Sequence, residues 1–237
     1  MIAESLAVFA AALPLAGTTV YVDAGHNGAN GANPAAINRP VPAGTGGFRK
    51  ACDTAGAQTN DGRLTESAFA LDVALRLQRR LQQAGARVVM TRRTNDGVGP
   101  CVDERAAIGN RARADIALSI HADGGPTGGS GFHVVAPARD HAVAPAIVGP
   151  SLSFARSLRA RLRAIGLRPA GYIGGDGLVV RNDLGGLNLS RVPKAFVELG
   201  NMRNAREAAL LERAAHRDRL ALALARAIRR TLRAQKR

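Results

Sequence analysis

Short β-branched runs that close on a histidine or an acid, separated by stretches of helical period, constrain this chain more than any other feature. Thr19–Asp23 (TVYVD) runs into Ala-Gly-His, Asp115–His121 (DIALSIH) ends on a histidine, and Lys194–Leu199 (KAFVEL) carries Glu198 near its end. Arg87–Thr91, Gly131–Ala136 and Gly177–Arg181 read as further strands. After the first of these runs, Ala70, Val73, Leu77 and Leu81 recur on one helical face, behind Thr65 as N-cap and ahead of Gly85 as the stop. Asp103–Ala112, Ser151–Ile165 and a long closing segment, Asn204–Leu232, repeat the helical spacing. Strands alternating with helices predict an α/β fold, a single domain over residues 19–237 whose mostly parallel twisted sheet is flanked by helices on both faces. A domain of this size buries enough surface to fold without staples.

Asn27–Arg63 shows neither period and is rich in Gly, Pro and Asn. A segment that long in a compact domain reads as a functional loop clamped around a site. It contains Cys52, while Cys101 lies in a second turn-rich stretch; these two cysteines lack the C-x-x-C spacing of a redox or zinc motif. Within residues 1–18, the apolar run Leu6–Gly17 has the length of a signal-peptide h-region and is too short to span a bilayer. Glu4 stands where an n-region would carry Lys or Arg, so the run is expected to be a signal-peptide remnant or a short N-terminal cap. Export to the periplasm or cell wall would let Cys52 and Cys101 form a disulfide.

Charge narrows the partners. The formal net charge is +15, and the excess sits in Ser151–Pro169 and Met202–Arg237. Such stretches suit either solvated helix faces or an anionic polymer. With no Trp, two Tyr and six Phe, the chain has few rings on which bases could stack, so no nucleic-acid partner is expected. No apolar run approaches the ~20 residues of a membrane-spanning helix.

Ligands of open α/β folds bind at the carboxyl ends of the strands. His26, His121 and Glu198 fall there, and Glu66 joins them from the first turn of its helix, on the face that carries Ala70 and Val73. A carboxylate aimed at a core is costly unless it meets a cation. Two histidines and a glutamate make a hydrolytic zinc set with the fourth tetrahedral position open to water. The residues alone leave open whether Glu66 or Glu198 completes the set, and no H-E-x-x-H motif decides it. His133 and His141 read as a strand residue and loop surface, and His216 as a solvated helix residue.

The order of motifs goes further. Asp23-Ala24-Gly25-His26-Asn27-Gly28, Thr65-Glu66 opening a helix, Val88–Arg92, Arg105 with Asn110 before Ser119–Asp123, and Val197-Glu198-Leu199-Gly200-Asn201 follow one another along the chain. From Val20 to about Leu232 the sequence resembles the zinc-dependent N-acetylmuramoyl-L-alanine amidases of the Amidase_3 type. That resemblance implies a mixed, mostly parallel sheet, Zn²⁺ bound by His26, Glu66 and His121, and Glu198 as the catalytic carboxylate. The implied substrate is peptidoglycan or its muropeptide fragments, cut between the lactyl group of N-acetylmuramic acid and the first L-Ala of the stem peptide; the chain itself is expected to be a monomer. Ala24 replaces a usual Pro, Asn201 a usual aromatic residue, and the Asn27–Arg63 segment is longer than the family's. No substrate-binding residue is assigned. Two alternatives stand beside it: a carboxypeptidase-like zinc peptidase, needing a cationic pocket from Arg92, Arg105 or Arg181, and a non-enzymatic binder of anionic polymer.

Overall fold

The computed structural model describes residues 13–235. In chain order its elements are β1 (Thr19–Ala24), α1 (Pro34–Asn38), β2 (Pro40–Pro42), β3 (Arg49–Ala51), α2 (Glu66–Gln83), β4 (Arg87–Met90), α3 (Val102–Arg111) and β5 (Ile116–Asp123). They continue with β6 (His133–Pro137), α4 (Val148–Ala164), β7 (Leu178–Arg181), α5 (Gly185–Asn188), β8 (Lys194–Asn201), α6 (Ala205–Leu211) and α7 (Ala214–Gln235). Six strands form one sheet in the order β4-β1-β5-β8-β6-β7. The first four are parallel, β6 runs antiparallel to β8, and β7 is parallel to β6. This is the mixed, mostly parallel α/β sheet expected from the sequence.

Alternation along the strands sorts side chains to two faces. Val20, Val22 and Ala24 of β1 and Ile116, Leu118 and Ile120 of β5 face the main core, covered by Phe69, Val73 and Leu77 of α2, Phe154 and Leu158 of α4, and Leu224 and Ile228 of α7. Each large apolar side chain buried there contributes roughly 1.5–3 kcal/mol. The other face holds a smaller cluster of Tyr21, Ala114, Ala117 and Val192. By the same parity Asp23, Ser119, His121, Lys194, Phe196 and Glu198 all leave their strands toward that second face. Arginines take the outward positions of α4 and α7: Arg161, Arg226, Arg229, Arg230 and Arg233 rim a hollow of about 620 Å³ with no acidic residue in its lining.

Two expectations need correction. The Asn27–Arg63 segment is not structureless: Pro34 starts α1, and β2 pairs antiparallel with β3 through Val41 and Lys50. The expected disulfide is present, joining Cys52 of this segment to Cys101 with S–S 2.06 Å. The closing helix is two helices, α6 and α7. Glu207 of α6 accepts the backbone N–H groups of Gly131 and Asn201, fixing α6 over the end of β8. Arg217 then caps the freed carbonyls of Leu211 and Glu212, each at 2.8 Å, so the chain can turn and lay α7 on the sheet. Most of the apolar N-terminal run lies outside the described residues; within them, Leu15 is in the core and its N–H meets the Ala84 carbonyl at 2.8 Å. Among the described residues no helix is long and apolar enough to cross a membrane.

Candidate metal centre

Parallel pairing of β1, β5 and β8 brings three strand ends side by side. Just past β1, His26 adopts φ 53°, in the left-handed region where histidine is one of the few tolerated side chains. That turn brings its ring back beside the neighbouring strand. His121 stands near the end of β5, directly opposite Glu198 of β8, which in turn faces His133 of β6. Glu66 opens α2, where the Thr65 hydroxyl accepts the Ala68 N–H and starts the helix at that residue.

His26, Glu66 and His121 converge so that one donor atom from each lies within 4.8 Å of the others. Glu66 Oε1 is 2.7 Å from His121 Nδ1 and 3.2 Å from His26 Nε2. The two rings meet edge to face, centroids 4.9 Å apart. No side chain could share the space at Gly25, where a Cβ would sit 2.3 Å from the His121 ring. The remaining atoms of the three side chains are tied behind this point. His26 Nδ1 is 2.8 Å from Asp53 Oδ1, and Glu66 Oε2 accepts the Ala57 N–H at 2.7 Å. His121 Nε2 lies 3.2 Å from Ser119 Oγ, whose own hydroxyl donates to Asp23 Oδ2 at 2.9 Å. Each imidazole therefore has an acceptor for an N–H on its outer nitrogen, so its inner nitrogen can turn a lone pair toward a cation held at the point where Glu66 Oε1 also converges. Such outer-nitrogen partners orient and strengthen metal-binding histidines.

Asp53 and Asp23 are themselves bridged. Arg105 of α3 reaches Asp23 Oδ1 and Asp53 Oδ2, each at 2.9 Å, and Lys194 Nζ reaches Asp23 Oδ2 at 2.9 Å. Burial works against ionised Asp23, but Lys194 and Arg105, helped by the Thr91 hydroxyl, outweigh it and hold its pKa far below the carboxylate range. Burial likewise opposes a charged His26, yet the Glu66 and Asp53 carboxylates raise its pKa to about 10.

Glu198 behaves differently. Its Oε2 is buried without a hydrogen-bond partner among the described residues. Burial, then the nearby charges of Glu66 and Asp123, push its pKa well up. His133 Nδ1, across the strand, is likewise buried and unpartnered. A cleft of about 360 Å³ opens over His26, Glu66, His121 and Glu198, lined also by Phe196, Lys50, Asp123 and the Leu184–Leu187 segment. Phe196 stacks on His121 with centroids 4.0 Å apart.

The arginines that a carboxypeptidase-like reading would need for a terminal carboxylate are engaged elsewhere. Arg92 donates to the carbonyls of Gly25 and Ser67, Arg105 is held by the two aspartates, and Arg181 pairs with Asp183 at 2.7 Å. His141 stacks on Phe48, and His216 is half-buried. Asn201, in place of an aromatic residue, is buried and donates to the carbonyls of Pro126 and Gly129, pinning the loop after β5. Sequence reading did not identify Asp53, Ser119 or Gly56 as parts of the site. Strand parity could have flagged Ser119, two residues before His121; nothing local marks Asp53.

A family model described as N-acetylmuramoyl-L-alanine amidase matches residues 20–230. An N-acetylmuramoyl-L-alanine amidase of Mycobacterium tuberculosis is 45% identical over 214 residues, covering 90% of this chain and 86% of that protein. The crystal structure of the N-acetylmuramyl-L-alanine amidase Ami1 from Mycobacterium smegmatis superposes with a TM-score of 0.87 at 44% identity, covering 93% of this chain and 99% of that one. The apo form of Ami1 from Mycobacterium abscessus gives a TM-score of 0.85 at 45% identity, over 92% and 100% of the two chains.

Proposed function

The chain belongs to the Amidase_3 family of N-acetylmuramoyl-L-alanine amidases and is a peptidoglycan hydrolase, and from that premise we propose which of its residues cut the amide between the lactyl group of N-acetylmuramic acid and the first L-Ala of the stem peptide. The observation that carries the assignment is the convergence of His26, Glu66 and His121 at the strand ends, with acceptors behind both imidazoles. In this reading His26, Glu66 and His121 would hold a zinc ion, a three-residue set of the kind found in hydrolytic zinc sites. Zinc in such a site polarises a carbonyl and lowers the pKa of its water to ~7.

The rest of the chemistry falls to Glu198. Its carboxyl stands beside His121, and its Oε2 has no hydrogen-bond partner among the described residues. Burial and then the charge of Glu66 raise its pKa, and a cation offsetting the Glu66 charge would remove the second of these causes. Glu198 takes the proton of the attacking water and passes it to the leaving L-Ala nitrogen, a role typically worth 10²–10⁴-fold. Asp53 and Ser119 keep the two imidazoles in the tautomers this requires. The disulfide and a cell-wall substrate support action outside the cytoplasm, in the periplasm or wall. The engagement of Arg92, Arg105 and Arg181 counts against a carboxypeptidase-like alternative.

The test is mass analysis of a muropeptide digest. Cleavage at the proposed bond yields free N-acetylmuramic acid carboxyl groups and intact stem peptides beginning with L-Ala, lost after chelation and restored by zinc. Products trimmed at the peptide carboxyl end with the lactyl amide intact would establish the carboxypeptidase instead.

A further inference from the structure

The segment from Cys52 to Ala57 forms the back wall of the metal centre, and it comes from the long loop, not from a strand end. It contributes twice. Asp53 Oδ1 is 2.8 Å from His26 Nδ1, and the Ala57 N–H donates to Glu66 Oε2 at 2.7 Å. Between them Gly56, at φ 80°, passes so close that a Cβ would lie 2.9 Å from His26 Cδ2 and 3.1 Å from Glu66 Oε2. Two anchors hold this wall in place. Asp53 Oδ2 meets the buried guanidinium of Arg105 at 2.9 Å, and the residue before Asp53 is covalently joined to Cys101. Cys101 immediately precedes α3, which carries Arg105, and the Val102 N–H donates to the Cys52 carbonyl at 2.8 Å. The disulfide and the ion pair thus bind the same two segments together, directly behind His26.

We propose that Asp53 is a positioning residue for the metal, fixing the ring and tautomer of His26, and that the Cys52–Cys101 disulfide sets the metal affinity by holding Asp53 against Arg105. This rests on the zinc reading above. A disulfide remote from a site would affect stability alone; this one is a single residue from the acceptor on a ligand.

The test measures zinc affinity directly, by competition with a chromogenic chelator at a temperature well below unfolding, on wild type, D53A, D53N and the C52S/C101S double variant. Losing such an orienting partner typically costs 10–100-fold in metal affinity, and D53A is expected in that range. D53N, which still offers His26 an oxygen, is expected to recover much of the loss. The double variant is expected to bind more weakly by about threefold or more, a fraction of the loss of the partner itself. Circular dichroism confirms which variants are folded. Folded D53A binding zinc within about twofold of wild type would overturn the positioning role, set against the 10–100-fold expectation; equal affinity in C52S/C101S would overturn the part assigned to the disulfide. Should D53A fail to fold, ¹⁵N spectra of zinc-loaded wild type decide: a proton on His26 Nδ1 is expected, and a proton on Nε2 would refute the proposal. Wild type that binds no zinc at all would instead remove the reading on which it stands.

Discussion

Asp23→Asn is the sharpest perturbation of the framework behind the site. The Asp23 carboxylate is 2% exposed and accepts from Arg105 Nη1, Lys194 Nζ, Thr91 and Ser119 at 2.7–2.9 Å. Asparagine keeps the shape, removes the charge and turns an amide toward donors. It leaves two buried cations sharing one fewer counter-charge, the situation in which breaking a buried pair costs about 3–5 kcal/mol. At roughly 2–4 °C per kcal/mol for a chain of this size, the expected fall in Tm at pH 7 is about 6–20 °C. The pH profile carries a second signature. Because the folded pKa of Asp23 is depressed, its contribution is complete above the unfolded value of about 4 and is lost only as the pH falls through the folded value. The gap between wild type and D23N should therefore stay constant from pH 8 to 5 and narrow only in stronger acid. Scanning calorimetry across that range checks both points. A Tm drop under about 2 °C, less than one kcal/mol on the same conversion, would refute the claim that this carboxylate neutralises Arg105 and Lys194.

Three further outcomes follow from the same geometry. Gly56→Ala, at φ 80° and with its Cβ 2.9 Å from His26, is expected to weaken metal binding and destabilise by about 2–4 kcal/mol, as overpacking and left-handed strain add; chemical denaturation and chelator competition read both, and an unchanged metal affinity would contradict the close approach. Glu198→Gln should keep its metal while losing at least ~10²-fold in kcat, so loss of metal in that variant would mean the two glutamates have been assigned in reverse. Replacing Arg229, Arg230 and Arg233 by Gln should leave hydrolysis of soluble muropeptides unchanged, because these residues rim a hollow on α4 and α7 outside the metal cleft. A fall in kcat/KM on soluble fragments would contradict that separation.

Much of the site was legible because it rests on period. TVYVD, DIALSIH and KAFVEL announce strands, and the strand ends they define place His26, His121 and Glu198 on one rim. Glu66 was legible from the Thr65 cap, which fixes where α2 begins and hence which face its first turn presents. The register that sets His121 opposite Glu198 depends on pairing between residues far apart along the chain and left no local trace. Nor did the antiparallel entry of β6, since a lone strand looks the same in either direction. Asp53 was missed because its role comes from a hairpin and a disulfide that carry it behind His26, while its sequence neighbourhood reads as loop. The break between α6 and α7 escaped because both helices share an apolar period; the turn is imposed by Glu207, through its contact with the distant Gly131, and by Arg217, which caps the carbonyl of Leu211.

Metal content of the purified protein tests the central assignment most directly. Elemental analysis of wild type should find about one zinc per chain, the stoichiometry of a single catalytic site with three protein ligands. His121→Ala, folded by circular dichroism, should lose that zinc, since it removes a donor 2.7 Å from Glu66 at the point where the three side chains converge. A His121→Ala protein that keeps its full zinc content would show that the metal is held elsewhere and that His26, Glu66 and His121 are not its ligands.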